Sequence, residues 1–146
     1  MHDSSGKPQP RQTLFEPARY VLEATISGSG DLTLAGRARI VLRARAARHR
    51  LVVATLHPDL VLRTVRDARG TPLAFHRSGA ELAIVLAAAP AAGDETVIEV
   101  EYYGRFLDKA GRSLYALRDT LSWYPHVGAV DRAPYDVTLT WPRRLE

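Results

Sequence analysis

Apolar and polar residues alternate with a period of two along most of the chain after Arg19. In the run Tyr20–Ile26 the even-numbered positions are all apolar, which is the pattern of a strand with one buried face. Comparable runs recur at intervals of about 8 to 12 residues, separated by turns rich in Gly, Pro and Asp. The predicted strands lie at 20–26, 32–45, 51–55, 60–66, 73–75, 82–86, 96–103 and 135–141.

Such a series of about seven to nine short strands predicts an all-β fold, either a mostly antiparallel sandwich or a curved, saddle-like sheet. Two alanine-rich stretches do not change this, because Ala44–Arg48 is too short for a stable helix and Ala83–Ala92 contains Pro90. Gly36 interrupts the second predicted strand and indicates a bulge or bend. Ser78-Gly79 predicts a hairpin between the strands on either side of it.

The last predicted strand has both of its ends marked by proline. Tyr135, Val137 and Leu139 fall on one side of it and alternate with polar residues. Pro134 can begin a strand, and Pro142 cannot continue its hydrogen bonding. The pattern predicts a half-buried strand with a polar outer face.

The loop before this strand contains Trp123, Tyr124, Pro125 and His126 in succession. Large rings beside a fixed backbone angle and a titratable imidazole occur at packed corners and at small binding sites. The residues alone favour the packed corner and leave the binding site open. Together with Asp131, these four residues are the candidates for a site or an interface.

The length of 146 residues indicates one domain, which we place at residues 14–142. The polar residues 1–13 are predicted to be a flexible lead-in, and 143–146 to be a cloning remnant or the start of a linker. No apolar run approaches the roughly 20 residues of a membrane helix, so no membrane segment is expected. The chain has no cysteine, which excludes disulfides and thiolate chemistry.

The net charge is +4, and almost all of the positive charge is on arginine side chains. Arg37, Arg39 and Arg43 alternate along one predicted strand and can be interpreted as a binding stripe or as a solvated sheet face, of which the second is favoured. Glu99 and Glu101 likewise indicate an exposed face and not a catalytic carboxylate pair. No nucleic-acid partner is expected, since the aromatic residues fall on faces that the alternation assigns to the core.

Catalytic motifs are absent from the chain. None of the five histidines has the Glu-x-x-His spacing of a helical zinc site, and there is no Gly-x-Ser-x-Gly, phosphate-binding or dinucleotide-binding motif. No catalytic or metal-binding residue is therefore assigned.

The order of several short motifs resembles the N-terminal β domain of the aminopeptidase N family of zinc metallopeptidases. The resemblance covers about 19–142. The motifs are the opening Tyr20-x-Leu22, the glycine strand Leu34-Ala-Gly36-Arg-Ala-Arg-Ile40, Leu60-x-Leu62-x-x-Val65, Leu82-x-Ile84-x-Leu86, the strand end Ile98-x-Val100-x-Tyr102-Tyr-Gly104, Trp123-Tyr-Pro125, and Ala133-Pro-Tyr-Asp-Val-Thr-Leu-Thr-Trp-Pro142.

The resemblance implies a non-catalytic domain that packs on a thermolysin-like catalytic domain of the same polypeptide and borders its peptide-binding cleft. Zinc and the His-Glu-x-x-His helix would belong to that catalytic domain, and no cofactor is implied for this chain. Trp123 and Tyr124 would lie at the domain interface. The partners implied are the catalytic domain and the parent's peptide substrate, and both a cytoplasmic and a membrane-associated bacterial parent agree with the resemblance.

The chain departs from the family where the substrate's amino group is usually bound. Thr120 is followed by Leu121-Ser122 and reaches Pro125 in five residues, so the Thr-Gln-x-Glu segment is missing, and Gly128-Ala-Val-Asp131 replaces Asp-Glu-Pro. The alternative to a metallopeptidase domain is a stand-alone β-sandwich that binds a peptide, glycan or protein.

Overall fold

A computed structural model describes residues 14–27, 32–107, 123–128 and 133–140. These residues form strands and no helix, which confirms the all-β prediction. The bounds predicted for the lead-in (1–13) and for the end of the chain (143–146) lie outside the described residues and stay predictions. The strands are β1 (Phe15–Ser27), β2 (Leu32–Ala44), β3 (Leu51–Thr55), β4 (Val61–Asp67), β5 (Ala74–Ser78), β6 (Glu81–Val85), β7 (Glu95–Leu107), β8 (His126–Val127) and β9 (Tyr135–Thr140).

The strands form two sheets with opposed inner faces. The five-stranded sheet has the order β4-β7-β2-β1-β9, and the four-stranded sheet has the order β5-β6-β3-β8. Every neighbouring pair is antiparallel except β1 and β9, which run parallel. The predicted hairpin is present as β5 and β6, and Gly79 in its turn has a φ of 56° that favours glycine.

The core lies between the sheets and consists of the alternating apolar residues of both. Each fully buried large side chain contributes about 1.5–3 kcal/mol relative to its exposed state, so this layer outweighs any single polar contact. The largest fully buried side chains are Tyr20, Tyr102, Phe15, Leu22, Ile26, Leu34, Ile40, Leu42, Leu56, Leu60, Leu82 and Ile84.

The outer face of the five-stranded sheet is charged. Arg37 pairs with Glu101 at 3.0 Å and Arg39 with Glu99 at 3.8 Å, across strands β2 and β7. Arg43 lies between Glu95 at 3.2 Å and Glu16 at 3.6 Å. The predicted exposed arginine face is therefore present and is matched by carboxylates. Exposed pairs of this kind each contribute about 0–1 kcal/mol, so they add little to the free energy of unfolding.

Gly36 is required for close packing and does not form the predicted bulge. It pairs with Ala24 on one side and Tyr102 on the other, and the register runs through it without a shift. The predicted bulge is therefore wrong at this position. A Cβ atom on Gly36 would lie 2.4 Å from Cζ of Tyr102, so the tyrosine ring occupies the space that a side chain would take.

Gly104 has a comparable role two residues after Tyr102. A Cβ atom there would lie 2.6 Å from the backbone oxygen of Asp59, in the turn before β4. The two glycine-containing motifs in β2 and β7 thus have a shared physical basis, because each glycine admits a neighbour that any larger residue would displace.

The hydroxyl group of Tyr102 is buried and has no hydrogen-bond partner among the described residues. Burial disfavours the charged phenolate, so it raises the pKa of Tyr102 above its ordinary value. The unfolded chain exposes the same group to water, where its pKa is about 10. Folding therefore becomes linked to pH in the alkaline range.

We expect Tyr102→Phe to be neutral or to raise the free energy of unfolding at pH 7 by up to about 1 kcal/mol, because it removes an unpartnered polar group. Above about pH 10 the unfolded wild-type chain loses the Tyr102 proton while the folded chain keeps it. Stability is therefore fully present below that pH and falls by up to about 1.4 kcal/mol per pH unit above it. Denaturant unfolding of wild type and variant between neutral and alkaline pH measures the difference.

Tyr103→Phe is the matched control, since Tyr103 is the next residue and is 42% exposed. The alkaline slope should persist in that variant and weaken in Tyr102→Phe. Equal slopes in the two variants would contradict the assignment to Tyr102.

We expect Gly36→Ala to lower the free energy of unfolding by about 1–3 kcal/mol, through overpacking against the Tyr102 ring. Tyr102→Leu should relieve part of that cost, and a double-mutant cycle should show a coupling of about 0.5–3 kcal/mol. Gly104→Ala is the control, because its clash is with the backbone of Asp59 and should not be relieved by Tyr102→Leu. Additive effects of Gly36→Ala and Tyr102→Leu would contradict the packing argument.

Candidate functional site

The aromatic loop predicted from the sequence begins at partly exposed residues and ends in the core. Pro125 and Val127 are buried, whereas Trp123, Tyr124 and His126 are partly exposed. His126 and Val127 form β8, which pairs with the end of β3. The loop is therefore held at the edge of the four-stranded sheet, with its rings directed along the junction of the two sheets.

Among the described residues, five rings meet at this junction, and we call them the aromatic corner: Tyr20, Trp123, Tyr124, His126 and Tyr135. Tyr20 and Tyr135 stack in parallel, with centroids 5.0 Å apart and an interplanar angle of 8°.

Tyr124 is the central ring of the aromatic corner. Its centroid lies 5.5 Å from Tyr20, 5.1 Å from Trp123, 5.9 Å from His126 and 5.8 Å from Tyr135, in edge-to-face contacts. Such pairs add about 0.5–1.5 kcal/mol each beyond their area burial, so the corner is a rigid unit.

Hydrogen bonds attach the corner to three strands. The backbone N–H of Val127 donates to the hydroxyl oxygen of Tyr20 at 3.1 Å, and this bond crosses from one sheet to the other. The backbone N–H of Tyr20 donates to the carbonyl oxygen of Pro134 at 3.0 Å. The hydroxyl groups of Tyr124 and Tyr135 share a further bond of 2.9 Å. Tyr20 therefore joins β1 to β8 and to the start of β9.

Strand β9 carries apolar side chains on its core-facing side that are nevertheless exposed. Tyr135 and Val137 are aligned with buried Tyr20 and Leu22 of β1, but their exposed fractions are 38% and 47%. The opposite sheet ends at β8, which is only two residues long, so it leaves this part of β9 exposed. Among the described residues, the four-stranded sheet therefore has no strand opposite this part of β9.

Part of the outer face of the four-stranded sheet is also apolar. Leu51 and Val85 are neighbours across β3 and β6, with exposed fractions of 46% and 36%. The same face continues through Thr55, which is paired with His126 of the aromatic corner. This face therefore combines an apolar patch with polar Thr55, Glu81 and His126, in contrast with the ion-paired outer face of the other sheet.

The aromatic corner consists mainly of side chains that pack against one another and contains few reactive groups. Among the described residues, no three His, Cys, Asp or Glu side chains lie close enough together to hold a metal ion. Within the same ranges there is no helix that could span a membrane. Of the five candidates named from the sequence, four meet at the corner or its buried base, and Asp131 lies outside the described residues.

Tyr20 and Tyr135 are the corner residues that sequence reasoning did not include among the candidates. The alternation placed Tyr20 and Tyr135 on apolar faces, but it did not indicate that their strands run side by side. A tyrosine in the first strand and another in the last are far apart in the chain, and only the parallel pairing of β1 and β9 brings them together.

Comparison with family models and with curated proteins finds no match. Comparison with solved structures finds many chains with a related fold. One is an M1 zinc metallopeptidase from Deinococcus radiodurans, a mutant bound to a Tyr-Ser-Ala substrate, with 18% identity and a TM-score of 0.58 over 68% of this chain. Another is a two-domain M1 zinc metallopeptidase mutant bound to L-arginine, with 17% identity and a TM-score of 0.57 over 64% of this chain.

This likeness concerns the fold, and it supports the aminopeptidase N-like fold that the ordered motifs predict. The matched regions make up only 23% and 21% of those two chains. The chain therefore spans less than a quarter of the length of either metallopeptidase.

We expect Tyr20→Phe to lower the free energy of unfolding by about 1–3 kcal/mol, because it leaves the N–H of buried Val127 without its acceptor. Tyr135→Phe is the control, since it removes a hydroxyl whose hydrogen bond to Tyr124 is exposed, and its effect should stay within about 0.5 kcal/mol. Chemical denaturation of both variants measures the two costs. Equal costs would show that Tyr20 does not join the sheets through its hydroxyl group.

Proposed function

We propose that this chain is the non-catalytic N-terminal domain of a zinc aminopeptidase-like protein. In this proposal it packs on a thermolysin-like catalytic domain in the same polypeptide and borders that domain's peptide-binding cleft. Two lines support it: a fold shared with M1 zinc metallopeptidases, and an order of motifs that resembles the first domain of the aminopeptidase N family.

The observation that carries the proposal is the apolar surface around the aromatic corner. Tyr135 and Val137 expose apolar area on the side of β9 that faces the core, beside half-buried Trp123 and Tyr124. A contiguous apolar surface with aromatic residues is typical of a surface that another protein body covers. A catalytic domain of the same polypeptide is a partner that would cover it.

The difference in polarity between the two outer faces indicates which side of the sandwich would dock. The outer face of the five-stranded sheet carries paired Arg and Glu side chains, which lose their hydration at a cost when covered. The patch of Leu51 and Val85 and the exposed side chains of Tyr135 and Val137 carry no charge to desolvate. The catalytic domain is therefore placed, in this proposal, on the side of the corner and the four-stranded sheet.

Zinc would be bound by the catalytic domain of the parent. The contribution of this chain would be to hold rings such as Trp123 and Tyr124 at the rim of the cleft and to limit the access of water and substrate. No catalytic step is assigned to any residue of the chain.

The test uses the full-length parent and its two domains produced separately. We expect Val137→Asp to weaken association of the two domains by about tenfold or more, because it places a charge in an apolar interface. Peptide hydrolysis by the full-length variant should fall with it. Fluorescence-detected titration of one domain with the other measures the association.

Thr138→Asp is the matched control, because Thr138 is the next residue of β9, is exposed, and points to the opposite face of the sheet. It should leave the association unchanged. Equal effects of the two substitutions would overturn the docking surface. Chelator-sensitive peptide hydrolysis by the isolated chain would overturn the non-catalytic role itself.

A further inference from the structure

The outer face of the five-stranded sheet contains a groove with a volume of about 310 Å³. Its walls come from four adjacent strands, in the order β4, β7, β2 and β1. The groove therefore runs across the strands, on the face that is opposite to the core. The docking surface of the proposed function does not include it, and the inference drawn from it does not rest on that function.

The floor of the groove is explained by the register of the sheet. Ala35 pairs with Thr25 on one side and with Tyr103 on the other, so a small side chain lies between two larger ones. The next row on the same face consists of Glu23, Arg37 and Glu101. The methyl group of Ala35 thus leaves a depression beside a row of charged side chains.

The charges along the groove are only partly paired. Arg37 donates to Glu101 at 3.0 Å, and this hydrogen bond and charge, with smaller contributions from Glu99 and Glu23, raise the pKa of Arg37. The side chain of Glu23 makes no hydrogen bond or ion pair with any other described residue. A carboxylate on β1 is therefore left available at one end of the groove.

The other end of the groove has a cation. The guanidinium carbon of Arg63, in β4, lies 5.1 Å from the centre of the exposed Tyr103 ring. Within the described ranges, Arg63 has no carboxylate partner. The stacked ring holds the guanidinium in place, and its planar donors are free to bind a carboxylate in a bidentate manner.

We propose that this groove binds a short peptide with free termini. The amino group of the peptide would pair with Glu23, its carboxylate with Arg63, and a side chain would lie over Ala35 against Tyr103. The guanidinium of Arg63 lies over Tyr103 of β7, so the two charges are between two and three strand spacings apart, which is roughly 9–14 Å. An extended peptide spans about 3.3–3.6 Å per residue, so a ligand of about three to four residues matches the separation.

The test titrates the isolated chain with tetra-alanine and follows the backbone amide signals by NMR. We expect shifts at Thr25, Ala35 and Tyr103, at roughly millimolar peptide. Glu23→Gln and Arg63→Gln should each weaken binding by about two- to fivefold, the range of one exposed ion pair.

Blocked peptides assign each terminus. N-acetylated tetra-alanine should bind the wild type and Glu23→Gln equally, and C-amidated tetra-alanine should bind the wild type and Arg63→Gln equally. Arg66→Gln is the matched control, because Arg66 is exposed on the same strand and does not line the groove. It should leave the affinity for unblocked tetra-alanine unchanged.

Two results would overturn the proposal. One is the absence of shifts at the groove at roughly 10 mM peptide, which would leave it a solvated surface. The other is equal binding of free and doubly blocked tetra-alanine, which would show that the two charges do not select the termini. Neither result bears on domain docking, since Val137 lies on the opposite face of the sheet.

Discussion

Tyr20 is the residue that contacts both sheets and the last strand. Its hydroxyl oxygen accepts the N–H of Val127 from the four-stranded sheet, and its ring stacks on Tyr135 of β9. Its own backbone N–H donates to the carbonyl oxygen of Pro134, the residue before β9. Among the described strands, β9 alone runs parallel to its neighbour. A parallel pair cannot be joined by a tight hairpin turn, so these contacts help to set its register.

The alternation of apolar and polar residues predicts most strands and their faces, because the face on which a side chain lies depends only on its neighbours in the chain. Glu99 and Glu101 were assigned to an exposed face, and they lie there opposite Arg39 and Arg37. Pairing between distant strands is not a local property. The sequence pattern therefore gave no sign that β9 returns to β1, or that apolar Val137 would stay exposed.

Gly36 shows the same limit at the level of one residue. A glycine within a strand indicates a bulge, a bend or the close approach of another group, and the sequence does not distinguish them. The structure selects the third, because the ring of Tyr102 lies where a side chain would be. Its partner is 66 positions away in the chain, so the assignment needed the pairing of β2 with β7.

The aromatic corner shows the same contrast. Trp123 and Tyr124 are adjacent in sequence and are candidates from the sequence alone, whereas Tyr20 is distant in sequence and is not.

The two outer faces differ because different terms dominate their energetics. Exposed ion pairs such as Arg37–Glu101 contribute little to stability, so the charged face is not needed to hold the sandwich together. The core and the aromatic corner supply that stability through buried apolar surface. A face that stability does not constrain is free to keep charges such as Glu23 and Arg63, which form no ion pair among the described residues. The apolar side differs, because covering exposed Val137 and Leu51 with another surface lowers the free energy. One sandwich thus carries the proposed docking surface on its apolar side and the proposed peptide groove on its charged side.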